Sequence, residues 1–105
     1  MVRISVLYPA GDGKKCDVDY YVKRHMALVR RRLGTMGLLK IEVDKGMAGG
    51  APGAPAPFVC IGHLYFNTVD EFQKAMAAHG KELVADVPNF TNIQPQFQIS
   101  EVITA

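Results

Sequence analysis

The segment Phe58-Val59-Cys60-Ile61-Gly62-His63-Leu64-Tyr65-Phe66 is apolar on both sides of an extended chain, with Phe58, Cys60, Leu64 and Phe66 alternating against Val59, Ile61 and Tyr65. Successive side chains of a strand point to opposite faces, so this stretch is predicted to be a strand buried twice, inside a sheet. Before it, Leu39, Ile41 and Val43 alternate with Lys40, Glu42 and Asp44, the pattern of an edge strand with one face in water. Residues 46–57 between the two are almost wholly Gly, Ala and Pro, which suits a long mobile excursion. After it, Thr68 and Glu71 predict a capping box, in which hydroxyl and carboxylate bond each other's backbone amides. Val69, Phe72, Met76, His79 and Leu83 then follow at helical spacing. Gly80 would end or kink that helix, leaving His79 as a cation at a helix end.

Further out, Val2, Ile4, Val6 and Tyr8 alternate with Arg3, Ser5 and Leu7 as a first strand, ended by Pro9 and Gly11-Asp12-Gly13. Asp17 stands at an N-cap, and Val18, Tyr21, His25, Leu28, Val29 and Leu33 recur at helical spacing, predicting a helix from about 18 to 32 that Gly34 and Gly37 break. Past Asp86-Val87-Pro88-Asn89, Phe97, Ile99 and Ile103 alternate with Gln98, Ser100 and Val102 as a last strand. The order β-α-β-β-α-β is that of the ferredoxin-like α+β sandwich, with both helices on one face of the sheet. The 105 residues make one domain and leave no third layer. The second apolar face of the 58–66 strand therefore calls for another copy of the chain, which predicts a homodimer.

Apolar residues make up 49% and charged residues 21%, a balance that excludes a disordered chain. The net charge of +2 does not imply a polyanionic partner, and the run Arg30-Arg31-Arg32 falls at a helix end, where the dipole favours cations. The RNA-recognition motif shares this order of elements. It needs exposed aromatics in a basic Gly-Phe-Gly-Phe setting, which Gly62-His63-Leu64-Tyr65-Phe66 lacks, so no nucleic acid is expected. No stretch has the length to span a bilayer, and Met1 leads into Val2 and Arg3 rather than a signal segment, so the cytoplasm is the expected compartment. Cys16 and Cys60 have neither metal-ligand spacing nor the density of a disulfide framework and are expected as free thiols. His25, His63 and His79 lack His-x-His or Glu-x-x-His spacing, and no flavin, nicotinamide or phosphate loop is present, so no cofactor is expected. One buried histidine could ligate haem iron, but nothing in the sequence requires it.

Tyr21 and His25 lie four residues apart on a helix face otherwise made of Val18, Leu28 and Val29, so both should point inward. An imidazole beside a phenol is equipment for proton transfer next to a carbonyl; the alternative is a core histidine bonded to backbone. His63 interrupts an apolar strand, where an imidazole is costly without a partner, so it is either active or bonded at an interface. Gln98 or Ser100 could complete its surroundings. A pocket needs few convergent polar groups, and His25 and His63 are expected to share one. Asp86, beside Pro88 and Asn89, is a further site candidate or simply part of an Asx turn.

Pro9 after the first strand, Asp17-x-x-Tyr20-Tyr21-x-x-x-His25-Met26, Ile41-Glu42-Val43, Ile61-Gly62-His63-Leu64-Tyr65-Phe66 and Ala85-Asp86-Val87-Pro88-Asn89-Phe90 together resemble the EthD family over nearly the whole chain. The resemblance implies a dimeric α+β barrel, in which the sheets of two ferredoxin-like protomers close on each other and a pocket lies between each sheet and its helices. The family takes its name from a small protein needed, beside a cytochrome P450 system, for bacterial degradation of ethyl tert-butyl ether. Related barrels include muconolactone isomerases, cofactor-free quinone-forming monooxygenases, polyketide cyclases and haem-binding proteins, so the fold alone does not choose a reaction. Two expectations follow. One is a cofactor-independent isomerase, dehydratase, cyclase or lyase acting on a small hydrophobic molecule, with His25 and His63 moving protons and Tyr21 orienting. The other is a non-catalytic pocket protein that binds such a molecule or assists an oxygenase.

Overall fold

Alternation along the chain becomes four strands, β1 (Val2–Pro9), β2 (Lys40–Lys45), β3 (Phe58–Phe66) and β4 (Gln96–Glu101), in a computed structural model describing residues 1–105. They form one antiparallel sheet in the order β2-β3-β1-β4, so the doubly apolar segment is an interior strand and β2 is an edge, as their patterns require. Register assigns the faces. Ile4 pairs with Leu64, Val6 with Gly62 and Tyr8 with Cys60, and these residues, with Phe66, look toward the helices. Arg3, Ser5 and Leu7 of β1, with Val59, Ile61, His63 and Tyr65 of β3, take the opposite, open face.

The first helix, α1, is α-helical over Val18–Tyr20, π-helical over Tyr21–His25 and α-helical again over Met26–Leu33. Asp17 caps it, its carboxylate accepting from the Tyr20 amide at 3.1 Å. The π turn is not foreseen by the periodicity. It widens the helix by one residue, so that Tyr21, His25 and Met26 are all buried. The second helix, α2, runs over Val69–Asp86, and a short 3-10 turn, Val87–Asn89, follows.

Two local expectations need correction. Gly80 does not end α2, and His79 lies within the helix rather than at its end; Gly80 is buried there with the Met76 side chain over the space a Cβ would take. The capping box is half formed: Thr68 Oγ1 accepts from the Glu71 amide at 3.1 Å, but the Glu71 carboxylate lies by the Thr68 hydroxyl rather than its amide. Residues 46–57 form an arm extending the β2–β3 hairpin, with Gly46 N–H donating to Val59 O and Gly49 N–H to Ala54 O. Ala51-Pro52-Gly53-Ala54 closes it as a type II turn, which needs the positive φ of 78° that Gly53 supplies.

Candidate functional site

Tyr21 and His25 do point inward, their rings stacked at 5.6 Å and 20°. They line a small apolar cleft of about 70 Å³ between the sheet face of Ile4, Val6, Tyr8 and Leu64 and the helix residues Met26, Val29, Phe72, Met76 and Leu83. Phe97 and Pro95 border it. Gly62 makes room for it: a Cβ there would collide with the Tyr21 hydroxyl and come within 2.9 Å of Met26 Cε. Gly62→Ala should therefore cost about 1–3 kcal/mol of unfolding free energy in denaturant titration. Adding Tyr21→Phe should return part of that loss, and strict additivity of the two changes would reject the contact.

The His25 side chain is 9% exposed, and its Nδ1 lies 2.9 Å from Asp86 Oδ2. Asp86 is held in turn by the Tyr20 hydroxyl, donating at 2.8 Å, and by Asn89 Nδ2, donating at 2.9 Å. Burial opposes charge on Asp86, but the bonds from Asn89, His25 and Tyr20 together outweigh it and hold the carboxyl below its usual range. A charged carboxylate only accepts, so His25 Nδ1 carries a proton toward Asp86, and in the neutral ring Nε2 is then the acceptor nitrogen. Nε2 makes no hydrogen bond within the protein and is not cut off from solvent. Burial pushes the phenols of Tyr21 and Tyr8 up, so Tyr21 remains a protonated donor.

The lowered Asp86 carboxyl makes a pH prediction. A depressed folded value gives stability that is present above the unfolded value, near 3.8, and lost as pH falls through the lower folded one. Wild type should exceed Asp86→Asn in melting temperature at neutral pH, and the gap should close below about pH 3.8. A gap unchanged down to about pH 2 would show that the carboxylate charge is not what stabilises.

Of the four candidates, the fold joins Tyr21, His25 and Asp86 and separates His63 from them. His63 lies on the open face, where Nε2 is 2.8 Å from Asp44 and Nδ1 is 3.2 Å from Ser5 Oγ. The expectation that His25 and His63 share one pocket fails, because Gly62 and Leu64 flank His63 and face the helices while His63 faces away. Next to it, Arg3 Nε donates to the Tyr65 hydroxyl at 2.9 Å, and that hydroxyl donates to Glu42 at 2.6 Å. Gln98 and Ser100, on the same face, bond each other.

Tyr20, Asn89 and Phe90 join the site, although the sequence marks them only as members of the family motifs and, for Asn89, as part of a turn with Asp86. The Phe90 ring lies 4.8 Å from His25 and 5.0 Å from Tyr21. It is placed by the Asp17 amide donating to Phe90 O at 2.7 Å and by a bridge between Cys16 and Thr91. Tyr20 and Asn89 carry a faint signal, as polar residues beside the N-cap and beside Asp86.

A four-stranded ferredoxin-like sheet backed by two helices, with an apolar cleft ending on an oriented histidine, defines a class of small pocket-bearing α+β domains. The chain belongs to the EthD family: the EthD domain matches residues 15–94. An EthD-like protein of Ralstonia eutropha JMP134 is 40% identical and superposes with a TM-score of 0.92, over 98% of this chain and 92% of the other. An ethyl tert-butyl ether degradation (EthD) family protein of Bacillus halodurans C-125, 21% identical, superposes at 0.66 over 98% and 99%. The fold is shared with a protein of Shewanella loihica PV-4 described as a putative monooxygenase, 11% identical, at 0.65 over 99% and 95%. No curated protein matches the chain. No helix is long and apolar enough to cross a membrane.

Proposed function

We propose that this chain is a cofactor-independent enzyme of the isomerase, dehydratase, cyclase or lyase type, acting on a small, neutral, hydrophobic molecule in the cleft. The observation that carries this is the state of His25: Nδ1 is tied to a carboxylate that two further donors hold, and Nε2, bonded to no protein group, meets solvent at an otherwise apolar lining. Such a ring takes a proton from carbon next to a carbonyl and returns it to a neighbouring atom, and Asp86 stabilises the imidazolium between the steps. Tyr21 is the donor that orients the carbonyl. The lining contains no Lys, Arg, Asp or Glu, which disfavours charged substrates.

The natural substrate need not be identified for the test. Small neutral ketones and lactones that bind by ligand-observed NMR are incubated with the protein in deuterated buffer, and deuterium at the α-carbon is followed. Incorporation above the buffer rate is expected. Binding without exchange would favour the second reading, a non-catalytic pocket protein supporting an oxygenase such as a cytochrome P450 in ether degradation. That reading draws support from the family and from the apolar cleft.

The working form in this reading is a homodimer closed through the open sheet faces into an α+β barrel. Leu7, Val59 and Ile61 form the apolar centre of that face, and Arg3, Glu42, Asp44, His63 and Tyr65 are already bonded among themselves around it. Polar groups satisfied within one protomer lower the cost of covering them. A structure of this fold from an uncultured marine organism, 12% identical, is described as a dimeric ferredoxin-like protein. His63 then belongs to the assembly and not to the cleft of His25.

A further inference from the structure

The two cysteines, 44 positions apart in the chain, meet in the fold with Sγ atoms 3.9 Å apart. Cys60 is fully buried on the helix-facing side of β3, opposite Tyr8, whereas Cys16 is partly exposed in the short segment before α1. Neither thiol takes part in the chemistry of His25. We propose that Cys16 and Cys60 form a reversible disulfide when the protein meets a hydroperoxide, crosslinking the segment that leads into α1 to the sheet. A disulfide needs the sulfurs to close to about 2 Å. Lys15 and Asp17 on either side of Cys16 are bonded to residues 90–92, so the movement comes from rotation of the two cysteine side chains rather than from the backbone.

The partly exposed Cys16 reacts first. Its sulfur attacks a peroxide oxygen and the O–O bond breaks; with hydrogen peroxide this gives Cys16 sulfenic acid and one water. The Cys60 sulfur then attacks the Cys16 sulfur and displaces its hydroxyl as a second water. Two thiols are oxidised and one peroxide is reduced to two waters. Burial pushes both thiols up, Cys60 to about 12, so the reaction is slow at neutral pH and quickens as pH rises. Because Cys16 is bridged to Thr91, next to Phe90, the crosslink also anchors the ring that covers His25. The inference does not depend on His25 being catalytic.

The full-length protein is treated with hydrogen peroxide, denatured without reductant and measured by intact mass. The expected result is a loss of two hydrogens in a single chain, no titratable thiol, reversal by dithiothreitol, and a melting temperature raised on the order of 10 °C. Peptide mapping of the wild-type chain should recover Cys16 joined to Cys60. In Cys60→Ser, dimedone should label Cys16 in place of the crosslink. Two free thiols after prolonged treatment, added oxygen atoms in place of lost hydrogens, or a crosslink formed only between chains would each overturn the proposal.

Discussion

His25→Gln is expected to lower deuterium exchange into bound ketones by about 10²- to 10⁴-fold, the range general acid–base catalysis supplies, with little change in melting temperature. Glutamine keeps a donor that can reach Asp86 and removes only the ring that exchanges protons. Because Nδ1 is occupied by Asp86 at 2.9 Å, the loss is assigned to Nε2, the atom without a partner. Ligand binding in the variant should stay close to wild type, which separates a lost proton carrier from a lost pocket. Retained exchange would remove His25 from the chemistry. A fall in melting temperature as the main effect would make the ring a structural partner of Asp86, and the auxiliary, pocket-binding reading would then be preferred.

Ile61→Lys is expected to weaken self-association by about 10²- to 10³-fold, as an unpaired charge buried at an interface costs several kcal/mol. Wild type should scatter light at twice the 11.5 kDa chain mass at micromolar concentration, and the variant at the single chain mass. In one protomer Ile61 is half-buried on the open face, so the lysine can extend into solvent and the domain should still fold. A wild-type monomer would reject the barrel. A dimer that survives the substitution would show that another surface joins the copies.

Strand and helix order is legible in the sequence because periods of two and of three to four residues are local, and they report which side of an element loses water. The arm of residues 46–57 escapes that logic. Its composition cannot build a core, but the single turn Pro52-Gly53, with Gly53 at positive φ, is enough to align the two flanks in register with the hairpin. Gly80 misleads because a glycine suits a helix end in isolation, whereas here its missing side chain is needed for packing within α2.

By itself the sequence determined the order of elements, the inward direction of Tyr21 and His25, and the division of β3 into two sets of side chains. Only the tertiary structure decided which set faces the helices. The space left by Gly62 admits the Tyr21 ring, and that turns His63 to the open face, away from His25. The pairing of His25 with Asp86 joins residues 61 positions apart, and the Tyr20 and Asn89 bonds that fix it arise from the docking of α1 against the end of α2. Periodicity carries no information about contacts of that range, which depend on how the elements pack together.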